Sequence, residues 1–132
     1  MLLIRSRQAA DWISRLIARA KSGDLLALAM ADYVYSELRY LQNLKDVPLE
    51  DTATLRQIVQ SRKYQLWRVS HPFDPMVAMR TVVWFDPDRK ETLLIVLAQD
   101  KKHLGNLFYN SIGDRADQII EEYKRERDRY AN

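Results

Sequence analysis

The period at which apolar residues recur changes partway along this chain, and that change limits its folds more than any other feature. Ala9, Trp12, Ile13, Leu16, Ile17 and Ala20 recur at three- and four-residue steps, the repeat of an amphipathic helix. Ser22-Gly23-Asp24 breaks that repeat, with Gly23 suited to end one helix and Asp24 to cap the next. A second helix from Leu25 carries Leu28, Ala31, Val34, Tyr35, Leu38 and Leu41 on a broad apolar face. It stops at Asp46-Val47-Pro48, because proline disfavours helical geometry in the residue before it. Asp51 or Thr52 is suited to cap a short third helix that presents Leu55, Ile58 and Val59.

Beyond that point the pattern turns to strands. Residues 64–70, 78–85 and 92–98 are rich in β-branched and aromatic side chains and are bounded by turn formers. The first two segments are joined by His71-Pro72-Phe73-Asp74-Pro75 and the last two by the polar run 86–91. Connections this short make neighbouring strands antiparallel. After Gly113, Asp114 is suited to cap a closing helix that buries Ala116, Ile119, Ile120 and Tyr123, while its charged end, 124–129, is expected to stay solvated and fray. N-terminal helices, a small antiparallel β-sheet and a C-terminal helix packed on it make an α+β fold. The length, 132 residues, fits one domain spanning 1–132.

Composition removes several chemistries. There is no cysteine, so thiol nucleophiles, disulfides, iron–sulfur clusters and cysteine-based zinc sites are excluded. Two histidines, His71 and His103, cannot make a three-histidine metal site within one chain. Three scattered glycines do not form a phosphate-cradling loop, and neither a G-x-S-x-G nor an H-E-x-x-H pattern occurs. The expected chemistry therefore uses no cofactor and no metal. The longest apolar runs, 25–31 and 93–98, are far short of a membrane span. The start places its charges after a short apolar stretch, unlike a secretory signal, so the expected location is cytoplasmic.

The net charge of +3 is unevenly spread. Residues 56–80 carry five bases (Arg56, Arg62, Lys63, Arg68 and Arg80) against one acid, Asp74, while residues 22–55 carry two bases against six acids. A basic segment can draw a polyanion even where the total is small. Alternation along a strand groups Tyr64, Leu66, Arg68 and Ser70 on one side, and Arg80 with Val82 and Trp84. Arginine in a strand either faces solvent, pairs with an acid such as Asp74 or Asp100, or contributes to an anion site. Lys101, Lys102 and His103 follow the last strand and form the densest group of proton donors and phosphate clamps, or a charged loop that merely ends the strand. Tyr109 can stack on a base, donate a hydrogen bond, or fill core beside Phe108. A site of Arg, Lys, Tyr and His suffices for RNA cleavage by attack of the ribose 2′-hydroxyl on the adjacent phosphate. DNA lacks that hydroxyl, so such a site would be selective for RNA.

The segments Leu66-Trp67-Arg68-Val69, Met79-Arg80-Thr81-Val82-Val83-Trp84-Phe85, Thr92-Leu93-Leu94-Ile95-Val96-Leu97 and Lys101-Lys102, in that order, resemble the RelE/ParE/HigB toxin superfamily of type II toxin–antitoxin pairs. The likeness is to its phage-derived HigB-like branch and is best over residues 55–123. It implies a small sheet packed on helices with a basic cleft, and a leading strand for which residues 1–4 are a minimal candidate. It further implies metal-independent cleavage of mRNA, often on the ribosome, by an mRNA interferase held in check by an antitoxin, a helix-turn-helix protein from a neighbouring gene. The matching positions are Arg68, Arg80, Lys101, Lys102 and Tyr109, with His103 beside them.

A second reading is a non-catalytic protein-binding module, either a gyrase-inhibitor-like toxin or a degenerate phage-derived interaction protein. Its partner surface would be the apolar face of Leu28, Val34, Tyr35, Leu38 and Leu41.

Overall fold

The computed structural model describes residues 1–70, 74, 76, 77, 79–100 and 106–130, with the backbone alone at 106–110. Its order is β1 (Leu2–Arg5), α1 (Arg7–Lys21), α2 (Leu25–Gln42), β2 (Leu55–Gln57), β3 (Trp67–Val69), β4 (Met79–Phe85), β5 (Thr92–Asp100) and α3 (Asn106–Tyr130). The five strands form one sheet in the order β1-β5-β4-β3-β2. The fold is α+β, with three helices on a mixed sheet among the described residues.

Local signals set the first half. Ser6 caps α1, its Oγ accepting the Ala9 N–H at 3.0 Å, and Asp24 caps α2 by accepting from Ala27 N at 3.0 Å. Between them Gly23 takes φ +102°, a left-handed geometry that costs glycine little. α1 and α2 bury Ile13, Leu16, Met30, Val34, Leu38 and Leu41 against one face of the sheet, meeting Trp67, Val83, Phe85, Leu93 and Ile95. On the other face α3 lays Ile112, Ala116, Ile119 and Ile120, a three- and four-residue stripe, over Val82, Trp84, Leu94, Val96 and Leu97. Covered on both faces, β4 and β5 read as near-continuous apolar runs.

The register of β4 against β5 shifts between Val82 and Val83, so Val82 faces Leu97 and Val83 faces Ile95. Val96 is the extra residue of this bulge, and Val96 and Leu97 both enter the α3-side core. The Val96 carbonyl accepts the Ser6 hydroxyl at 2.7 Å, so one serine both caps α1 and satisfies the bulge.

Several expectations are corrected. The sheet is not wholly antiparallel: β1 runs parallel to β5, pairing Leu2 with Thr92 through Arg5 with Ile95. The segment expected as a third helix is the strand β2. Asp51 Oδ1 accepts from Gln57 N at 2.8 Å and Thr52 Oγ1 from Leu55 N at 2.9 Å, so these side chains tie a turn rather than cap a helix. α2 ends at Gln42 with Asn43 as its cap, before the proline signal. The strand expected over 64–70 is limited to Trp67–Val69. α3 begins at Asn106 and runs through Gly113 and Asp114, so neither breaks nor caps it. Its charged end does not fray: the Arg127 side chain is only 7% exposed and is held by Asp86.

Candidate nucleic-acid interface

Strand alternation decides which arginines meet. Trp67 and Val69 enter the core beneath α1 and α2, so Arg68 between them points to the α3 side. Thr81 donates its hydroxyl to Glu37 of α2, so Arg80 falls on the α3 side with Val82 and Trp84. Leu55 belongs to the α1/α2 core, which puts Arg56 on the α3 side as well. In register Arg56 lies directly opposite Arg68, Arg68 opposite Val82, and Arg80 opposite Gln99. Arg68 and Arg80 are therefore diagonal neighbours, about 7–8 Å apart at the backbone by the usual sheet spacing. Three successive strands each place a guanidinium stem on one face.

Arg56 is exposed, whereas Arg68 and Arg80 are half-buried. Arg80 Nη1 donates to its neighbour's carbonyl, Met79 O, at 2.8 Å. Arg115 of α3 reaches the same zone, with Nη1 3.5 Å from Gln99 Oε1. Like charges facing one another across a ladder repel, and an anion laid over the face relieves that repulsion. A cavity of about 210 Å³ adjoins it, lined by Gln57, Ile58, Val59, Gln60 and Arg68. Asp74, one of the acids expected as an arginine partner, accepts the Tyr33 hydroxyl at 3.1 Å and the Met76 N–H at 2.9 Å.

Farther along this face Tyr64 stacks edge-on against Trp84 with ring centroids 5.4 Å apart. Its hydroxyl donates to Glu121 Oε1 at 2.5 Å, which also accepts from Lys63 Nζ at 2.5 Å. Lys124 Nζ stands 3.5 Å from the Tyr64 oxygen. The Lys63 ammonium and the Tyr64 hydroxyl hold the Glu121 carboxyl down at about 2.

Of the residues expected from sequence, the structure brings Arg68 and Arg80 together. Lys101, Lys102 and His103 lie outside the described residues, as does the side chain of Tyr109, whose backbone is in the first turns of α3. Sequence reasoning missed Arg56 and Arg115 as members of this face, because their neighbours are set by register and by helix docking. It also missed Glu37, a carboxyl 5% exposed at the α2–sheet contact. Glu37 Oε2 accepts the Thr81 hydroxyl at 2.5 Å, while Oε1 has no hydrogen-bond donor among the described residues. Burial pushes the Glu37 carboxyl up to about 7, against the opposing pull of the Thr81 bond and of the Arg80 charge. Among the described residues no cluster of three histidine, aspartate or glutamate side chains is placed to hold a metal ion. No helix among them is long and apolar enough to cross a membrane.

No family model matches the chain, and neither a curated protein nor a solved structure matches it.

Proposed function

We propose that the arginine face of the sheet binds the phosphodiester backbone of RNA and that the protein is a toxin-like, metal-independent endoribonuclease of the RelE/ParE/HigB kind. The observation that carries this reading is the placement of Arg68 and Arg80 as diagonal neighbours on one face, with Arg56 across from Arg68. Planar guanidinium groups match phosphate oxygens bidentately and stabilise charge that builds on phosphorus as the 2′-hydroxyl attacks. In this reading Arg68 and Arg80 clamp the scissile phosphate, and Arg56 and Arg115 steer the flanking backbone. Lys101, Lys102, His103 and Tyr109 supply the proton transfers, a role that rests on the family resemblance. The substrate is mRNA, free or on the ribosome, and the restraining partner is an antitoxin encoded nearby.

Expression in a naive host followed by mapping of RNA 5′ ends tests the proposal. Wild type should arrest growth and leave new 5′ ends at recurrent positions. The Arg68→Ala/Arg80→Ala double variant should do neither while remaining folded. Undiminished toxicity and cleavage in the double variant would refute the role given to these arginines.

The non-catalytic reading has one observation in its favour. The apolar face it needed is split, with Val34, Leu38 and Leu41 in the core, but Leu25, Leu28 and Tyr35 remain exposed on the outer side of α2. Growth arrest without cleaved transcripts, abolished by Leu28→Ser/Tyr35→Ser, would support that reading instead.

A further inference from the structure

The two edges of the sheet are finished differently. On β2 the outward main chain is already bonded. Thr52 donates its N–H to Leu55 O and accepts the Leu55 N–H on Oγ1, and Asp51 accepts the Gln57 N–H. On β1, the other edge, Leu2 N donates to Glu91 O at 2.7 Å and Ser6 N to Ile95 O at 3.0 Å. Main-chain groups alternate sides along a strand, so Leu2, Ile4 and Ser6 face β5 while Leu3 and Arg5 turn their N–H and C=O to the open edge. Among the described residues no hydrogen bond reaches those outward groups. An open edge is a template for another strand, and native sheets usually blunt it as β2 is blunted here. The side chains of β1 do not shield it: Leu2 is 62% exposed, and Leu3 and Ile4 are half-buried.

We infer that β1 pairs antiparallel with β1 of a second copy of this chain, about a twofold axis at Ile4, joining the two sheets into one. Three twofold registers bring the outward groups together, and the residues choose among them. An axis at Arg5 sets two guanidinium groups directly opposite, which repel. An axis at Leu3 pairs Arg5 with Met1, whose amine is committed to Gln42 O and Leu44 O at 2.6 and 3.0 Å. An axis at Ile4 pairs Leu3 of each copy with Arg5 of the other. Each such pair exchanges both its N–H···O=C bonds, so every outward group is satisfied. Ile4 packs on the α3 side of the sheet, and alternation puts Leu2 on that side too. The same register sets Leu2 of one copy opposite Ser6 of the other, where a cavity of about 80 Å³ opens over Ile4, Leu94 and Ile119. The exposed leucine and the hollow that takes it thus belong to one chain, and the axis that satisfies the main chain also brings them together. This self-complementarity selects a second copy over an unrelated strand. The inference does not rest on the RNA reading, since β1 lies at the edge of the sheet away from β2 and β3.

The test is sedimentation equilibrium of the full chain from about 10 µM to 1 mM, the range in which a small interface associates. Wild type should pass from monomer to dimer and stop there, because a twofold contact closes on itself. Leu2→Glu sets a carboxylate against Glu122 and Glu126, which flank the hollow of the other copy. Arg5→Pro removes an outward N–H and leaves the bonds to β5 in place. Each variant should weaken the dimer about tenfold or more with its circular dichroism spectrum unchanged. Leu2 is exposed, so Leu2→Glu decides the matter if Arg5→Pro fails to fold. In hydrogen exchange the Leu3 and Arg5 amides should be protected at high concentration and exposed on dilution. A monomer at every concentration, or assembly beyond a dimer, would overturn the inference. So would a dimer that Leu2→Glu leaves unweakened, or one in which the Leu3 and Arg5 amides exchange freely.

Discussion

Arg127 Nη1 stands 2.8 and 2.9 Å from the two carboxylate oxygens of Asp86, fastening the last turns of α3 to the turn that joins β4 and β5. Tyr123 adds a hydroxyl donated to Asp86 Oδ2 at 2.7 Å, and Arg127 Nη2 reaches Asp88 at 3.0 Å. The Asp86 side chain is fully buried, so its charge depends on these partners. This clasp holds α3 against the sheet and therefore holds the rim from which Arg115 approaches the arginine face.

Replacing Arg127 by methionine keeps much of the side-chain volume but leaves Asp86 buried without its cation. Stability should fall by about 3 kcal/mol at pH 7, measured by urea unfolding. Burial would raise the Asp86 pKa, but the bonds from Tyr123, Arg127 and the Asp88 N–H outweigh it and hold the value below the ordinary one. A carboxyl depressed in the folded state contributes its stability above its unfolded pKa and loses it as pH falls through the folded value. The gap between wild type and Arg127→Met should accordingly close in acid.

Glu37 predicts the opposite slope. Its folded carboxyl sits at about 7 against an ordinary 4.5, so the stability it confers is complete below the lower value and is lost as pH rises to the upper one. The displacement is worth on the order of 3 kcal/mol at most. Glu37→Gln retains an acceptor for Thr81 and carries no charge to bury. It should match wild type near the lower pKa and exceed it by about 1–3 kcal/mol at pH 8, read from unfolding midpoints across that window.

Gly113→Ala should destabilise, although alanine is the better helix former by about 1 kcal/mol. A Cβ at Gly113 would lie 2.4 Å from Arg62 Cγ and 2.8 Å from the Gln60 carbonyl, and the second of these is backbone that cannot swing aside. A loss of about 1–3 kcal/mol in urea unfolding is expected. A gain would mean that the 60–62 segment does not press on α3.

What the sequence disclosed and what it hid follows from how far each interaction reaches. The α1–α2 break was legible because Gly23 and Asp24 act on residues within a few positions of themselves. β4 and β5 were legible because their side chains are apolar on both faces. The parallel pairing of β1 was not, since Leu2 meets a partner, Thr92, most of the chain away. β2 was misread as helix because Asp51 and Thr52 make the same kind of side-chain-to-backbone bond in a turn as at a helix cap. Leu28 and Tyr35 fit the helical period yet face outward, while Glu37, which the period would leave to solvent, is drawn inward by Thr81. The arginine face was half legible. Alternation put Arg80 with Val82, but only the register sets Arg68 beside Arg80 and brings in Arg56.

The most direct test of the central claim is the affinity of the purified protein for an unstructured RNA oligomer, measured by fluorescence anisotropy across a range of salt concentrations. Each phosphate neutralised on a single strand contributes roughly −0.7 to the slope of log affinity against log salt, so Arg56, Arg68, Arg80 and Arg115 together imply a slope of about −3. The account predicts that Arg68→Ala/Arg80→Ala brings the slope to about −1.4 and weakens binding at low salt, with the circular dichroism spectrum unchanged. The same slope and affinity in both proteins, or no binding by wild type at low salt, would contradict it.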